Sequence, residues 1–251
     1  LQKVLPGTAQ AMPQLGDLGV KQSMSVKASN GESLEGKDLR AIQLATYTAA
    51  SVDGNTIVGY DLTTNTALAS DITAAAKAAG ATDTNLTVNG KNDPMVWVVK
   101  NLTDSRSDPW SGKLRNFCNS LAKQTNFAKQ DGTAVSTLSQ DKATISTGNV
   151  LVPGIYAIVD RTPATTTLSS GTAIKTTASI MMMNGTAVNG VNQLRTAGGT
   201  TLTLGQVIYK VSNVESPDKK VNVGSAWKDS ASEAIGKDLT YRVTQKIPNW
   251  T

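Results

Sequence analysis

Residues 22–28 carry the pattern that most restricts this chain. Met24, Val26 and Ala28 alternate with Ser23, Ser25 and Lys27. A period of two places the first three on one face of a strand and the polar three on the other. Comparable runs recur at 39–48, at 56–62 after an Asp53-Gly54 turn, and at 143–147, 155–160, 172–183 and 201–211. Short strands between turns bury their apolar faces only by stacking against another layer. A mainly β fold, built as a sandwich, is therefore predicted.

A helical stretch interrupts the strands. Ser70 reads as an N-cap, Asp71 suits a first turn, 74–79 is Ala-rich and Gly80 marks a stop. Asp93-Pro94 opens a second helix through Leu102, and Asp108-Pro109 a third over 110–124. In the third, Leu114, Phe117, Cys118 and Leu121 fall at i, i+3, i+4 and i+7, one apolar face. Helices so few and so local cannot cover a parallel sheet, so they read as insertions packed on the sandwich. Met181-Met182-Met183 reads as strand with side chains alternating in and out, because three neighbours on a strand cannot converge on one metal ion. The Gly- and Asn-rich stretch 185–200 reads as a hairpin or loop.

Composition narrows the function. Charged residues are 17% and aromatics 4% of the 251 residues, which suits a thin sandwich with polar faces better than an enzyme with a deep pocket. The net charge of +5 is scattered and not interleaved with aromatics, so it reads as solvated surface and not as a nucleic-acid site. Histidine is absent, which removes the commonest general base and metal ligand. No cofactor, metal site or enzyme activity is expected. Cys118 is the only cysteine, so no intrachain disulfide is possible, and it reads as a buried structural thiol. No apolar run reaches the roughly 18 residues of a membrane span.

The organisation turns on 204–221. Lys210 follows the strand-like Gln206-Val207-Ile208-Tyr209, a linker runs from Ser212 to Pro217, and Lys219-Lys220 opens another strand with Val221 and Val223. This divides the chain into a flexible leader (1–21), a first domain (22–212) and the incomplete start of a second (213–251). About two strands over 218–251 cannot stand alone in water, so the parent chain is expected to continue beyond Thr251.

Four passages, in this order and spacing, resemble the sortase-assembled pilins of Gram-positive bacteria. Trp97 to Ala122, with Asp-Pro-Trp and Leu-Arg-Asn-Phe, resembles the helical insertions of actinobacterial first domains. Val152-Pro153-Gly154-Ile155-Tyr156-Ala157-Ile158-Val159-Asp160 is similar to the Pro-Gly-x-Tyr strand ending in an acid. The 204–221 junction resembles the boundary after a first pilin domain, and Ala234-Ile235-Gly236-Lys237-Asp238-Leu239-Thr240-Tyr241, running on to Ile247-Pro248, resembles the second strand of an isopeptide-forming fimbrial domain, with Lys237 where the family has Asp. Leu5-Pro6-Gly7-Thr8 formally matches the sortase signal, but Ala9 replaces its glycine and the match reads as coincidence.

The resemblance implies an immunoglobulin-like sandwich of the collagen-adhesin B type with helical insertions, followed by the first strands of another. It implies a structural subunit of a covalent surface pilus, extracellular and anchored to the cell wall, whose partners are identical subunits and a pilin-class sortase. Lys210 would accept the neighbouring subunit, although Tyr209 precedes it directly where the family has Tyr-Pro-Lys. Lys219, in Asp218-Lys219-Lys220-Val221, would form an internal isopeptide bond with a partner beyond Thr251. In the first domain, Lys27, Asp160 and Asn213 could make the same trio, though Arg161 beside Asp160 would hold the acid ionised. The alternative is a tip, basal or ancillary adhesin binding host glycan or extracellular matrix through the helical insertions. Exposed Trp97 or Trp110 would favour that alternative, and buried ones would be core.

Overall fold

A computed structural model describes residues 18–102, 112–176, 181–196, 199–209, 213–215, 218–223, 226–228 and 241–244. The chain opens with β1 (Ser25–Ala28), β2 (Leu39–Asp53) and β3 (Thr56–Thr64), then α1 (Ala69–Ala78), the small hairpin β4 (Thr87–Val88) and β5 (Lys91–Asn92), α2 (Pro94–Asn101), α3 (Lys113–Ala122) and α4 (Thr125–Ala128). Next come β6 (Thr133–Val135), β7 (Thr137–Leu138), β8 (Thr144–Ser146), β9 (Gly154–Asp160), β10 (Thr165–Thr167) and β11 (Ala173–Thr176). The remaining strands are β12 (Met182–Gly185), β13 (Gln193–Arg195), β14 (Thr201–Thr203), β15 (Gln206–Tyr209), β16 (Asn213–Glu215), β17 (Asp218–Val223), β18 (Ala226–Lys228) and β19 (Tyr241–Thr244).

The protein is mainly β, with mixed sheets. A central sheet runs β12-β9-β2-β3-β13-β14, with β6 added beside the start of β2, and a second sheet runs β15-β1-β8-β7. Most pairs are antiparallel; β1 with β15 and β3 with β13 are parallel. The central sheet is covered on both faces. Ile42, Leu44, Ile155 and Ala157 pack with α1, α2, α3 and α4, whereas Leu39, Ala41, Tyr156 and Ile158 pack with Met24, Val26, Ile145 and Val207 of the second sheet. Alternation over residues 39–44 of β2 and along β9 thus feeds two cores, and β9 reads as a continuous apolar run because both of its faces are packed. Gly154 fits the start of β9 because a Cβ there would collide with the Ala45 carbonyl.

Several sequence expectations match this arrangement. Met24, Val26 and Ala28 are buried and Lys27 is exposed. Phe117, Cys118 and Leu121 form the buried face of α3. Met182 packs in the sheet-side core and Met181 and Met183 against the helix-side core, so the methionines do alternate. Other expectations shift. Ser70 is not the cap of α1; Leu68 is, after a 3-10 turn that Asn65 caps through Ala67 N. Asp71 turns inward and accepts a 2.7 Å hydrogen bond from Phe127 N at the opening of α4. The run 201–211 is split into β14 and β15 at Gly205, whose φ of 82° is costly for any other residue. Of the hairpin or loop expected over 185–200, the hairpin is found: β13 pairs with β14, and it also joins the central sheet on β3 with Gln193 opposite Thr56. Past the junction, where about two strands were expected, the described residues hold three, in a separate sheet β18-β17-β19.

Candidate functional site

Among the described residues, Lys37 is the buried cation. It lies in the connection between β1 and β2, and its side chain, like that of Asp160, is 0% exposed. Asp160 ends β9, opposite Leu39 of β2. The register therefore delivers the carboxylate to the place where the incoming loop lays Lys37. Lys37 Nζ is 3.4 Å from Asp160 Oδ2. Tyr209 Oη donates to the same oxygen at 2.5 Å, and Thr162 donates to Oδ1 through its backbone N–H at 2.9 Å and its hydroxyl at 2.5 Å. The ammonium also stands 5.6 Å from the centroid of the Tyr209 ring, within cation–π reach.

The electrostatics run in two directions. Desolvation pulls the Lys37 pKa below its ordinary 10.5, and the Asp160 charge and hydrogen bond pull it part of the way back. A cation so placed holds its proton less firmly than a surface lysine. The arrangement sets a desolvated ammonium against a carboxylate inside a packed core.

Of the anticipated first-domain trio, Asp160 stands at this site and Lys27 does not. Lys27 is exposed on β1, opposite Ile208 and Thr144; the amine that the fold brings to Asp160 is Lys37. Arg161 places a guanidinium hydrogen bond elsewhere, donating to Ala128 O at 3.4 Å on the exposed side. Asn213 begins β16 and is registered with Thr176 of β11. Lys210 and Thr251 lie outside the described residues. Lys219 is on β17, opposite Val243 of β19. Trp97 is half-buried, and Trp110 lies outside the described residues.

Sequence reasoning passed over Lys37 because it follows a polar turn that reads as solvent-exposed. One signal was present. Gly36-Lys37-Asp38-Leu39, whose leucine opens β2, recurs as Gly236-Lys237-Asp238-Leu239 shortly before β19. Among the described residues no group of three or more Cys, Asp or Glu is placed to hold a metal ion, and no helix is long and apolar enough to cross a membrane. Compared with known proteins, the chain matches no family model and no curated protein.

Proposed function

We propose that this chain is the first domain, and the start of the second, of a structural subunit in a covalently polymerised surface pilus of a Gram-positive bacterium. On this reading the sandwich is immunoglobulin-like, of the collagen-adhesin B type, and the β17-β18-β19 sheet begins a second such module. The observation that carries it is the Lys37–Asp160 pair: a lysine fully buried against a carboxylate, pinned by the tyrosine that immediately precedes Lys210. An ordinary sandwich core gains little from such a pair, since an ion pair of that kind is often no more stabilising than apolar side chains of equal volume.

In this reading Lys37 replaces Lys27 as the amine, Asp160 is the acid and Asn213, four residues beyond Tyr209, supplies the carboxamide. Asp160 takes the ammonium proton, the neutral Nζ attacks the Asn213 Cγ as the acid protonates the carbonyl oxygen, and the carboxylate then carries a proton from Nζ to Nδ2. The Nζ–Cγ bond forms, the Cγ–Nδ2 bond breaks, ammonia leaves and the hydroxyl proton returns to Asp160. Fixed neighbours replace a bimolecular encounter, and the bond forms once without turnover. Lys210 accepts the next subunit from a sortase, and Lys219 serves the second module.

The intact mass of the chain tests the internal bond. A Lys37–Asn213 amide lowers it by about 17 Da, one ammonia, and Lys37→Ala and Asn213→Ala each abolish the loss. Loss of water would assign the amide to Asp160 itself, and an unchanged mass with both residues present would remove the bond. For polymerisation, the full-length subunit incubated with a pilin sortase forms a ladder that Lys210→Ala eliminates; an undiminished ladder moves the acceptor elsewhere.

A further inference from the structure

On the helical side of the molecule, away from the Lys37 site, a groove of about 390 Å³ opens between α2 and the segment leading through β4. Asn85 and Thr87 line it from one side, and Val96, Trp97, Lys100 and Asn101 of α2 from the other. Trp97 packs partly against the helix-side core and is also part of the groove lining, so the indole is held in place yet half-accessible. A ring fixed in this way offers a flat apolar surface with little conformational entropy left to lose.

The polar groups around it are arranged to both donate and accept. Asn101 Nδ2 donates to Trp97 O at 2.8 Å, which leaves its side-chain oxygen to accept. Asn85 Oδ1 accepts from Thr82 N at 2.9 Å, which leaves its Nδ2 to donate. Thr87 adds a hydroxyl, and Lys100 is the one charged residue of the lining, with no carboxylate beside it there.

An aromatic plane, amides of both senses and a lone cation suit a pyranose ring bearing a carboxylate. The C–H face of the sugar stacks on the indole, its hydroxyls meet the amides, and its acid meets the ammonium. A nucleotide phosphate would call for a cradle of backbone N–H groups or several cations, and a neutral sugar would leave Lys100 without a role. We infer that this groove binds an acidic saccharide, with Trp97 as the stacking platform and Lys100 as the partner of the carboxylate. The inference stands apart from the covalent chemistry at Lys37, and either can fail without the other.

The test is titration of the full chain, followed by the Trp97 indole N–H resonance, with 3′-sialyllactose and a hyaluronan tetrasaccharide as acidic probes and lactose as the neutral one. At least one acidic probe shifts the resonance at millimolar concentration and binds about tenfold more tightly than lactose, the scale of one charge-assisted hydrogen bond. Lys100→Gln, an exposed change that leaves the fold intact, brings acidic and neutral probes to parity. Trp97→Ala, checked for folding by its thermal melt, removes saturation transfer to every acidic probe that binds the unaltered chain. No shift with either acidic probe, equal affinity for lactose, or unaltered discrimination in Lys100→Gln would each overturn the assignment.

Discussion

Among the described residues two aspartates are buried, one on each side of the central sheet, and they are held in opposite ways. Asp71, on the helix side, accepts from the Phe127 backbone N–H and so fastens α1 to the opening of α4. Asp160, on the sheet side, faces a lysine amine, a tyrosine hydroxyl and a threonine. The first arrangement uses a carboxylate as a joint between segments. The second gathers side-chain donors from three separate segments around one carboxylate, the arrangement that the proposed isopeptide bond would use.

The comparison breaks hardest at Lys37. Lys37→Ala strands the Asp160 charge and is expected to cost about 3–5 kcal/mol in denaturant unfolding, beyond any covalent bond it removes. The paired change Lys37→Met with Asp160→Leu should recover most of that loss, since it removes both charges together. Tyr209→Phe keeps the ring near the ammonium but deletes a hydrogen bond to a charged acceptor, at about 1.5–3 kcal/mol. Asp71→Ala leaves the buried Phe127 N–H without its acceptor and should cost about 1–3 kcal/mol, with no change in intact mass. If Asp71→Ala proved costlier than Lys37→Ala, the contrast between joint and reactive site would be inverted.

Titration sharpens the same contrast. Burial lowers the Lys37 pKa from 10.5, so the folded protein releases this proton before the unfolded chain does. Stability from this group is therefore lowest below the folded value and grows as pH rises from there towards 10.5. Cys118 and Tyr60 act in the reverse sense: burial raises them to about 11 and about 12, and their contributions fade as pH climbs from 9.0 and 10.0 through those values. The Lys37 part emerges as the difference in pH-stability curves between Asn213→Ala, which lacks the amide, and the same variant carrying Lys37→Met. A flat difference above neutrality would show that the lysine is not desolvated. The smallest effect is on Cys118 itself: its buried, raised thiol should resist iodoacetamide at neutral pH until the protein is unfolded.

Much of the scaffold was legible because its signals are local. The alternation through Met24, Val26 and Ala28 and the apolar face of Phe117, Cys118 and Leu121 each depend on residues within two helical turns or one strand. Pairings across the chain were not legible. Asp71 looked like a first-turn acid because nothing nearby announces that Phe127 will collect it, and Asp93, expected only to open a helix, also accepts the Thr64 backbone N–H at 2.9 Å. Lys37 meets Asp160 across 123 positions of sequence, and only the register of β2 on β9 makes them neighbours. The strands missed altogether, such as β6, β7 and β10, are two or three residues long and too short for any periodicity to register.

The parallel pairing of β1 with β15, Ser25 beside Gln206 through Ala28 beside Tyr209, has a mechanical consequence. Pulling the chain by the segment before β1 and the segment after β15 draws these two strands past each other along their length. All their rungs are then loaded at once in shear, and none can be peeled away singly as at the end of a hairpin. The edge of the second sheet is in this sense a clamp, and its grip scales with the number of rungs that must break in concert.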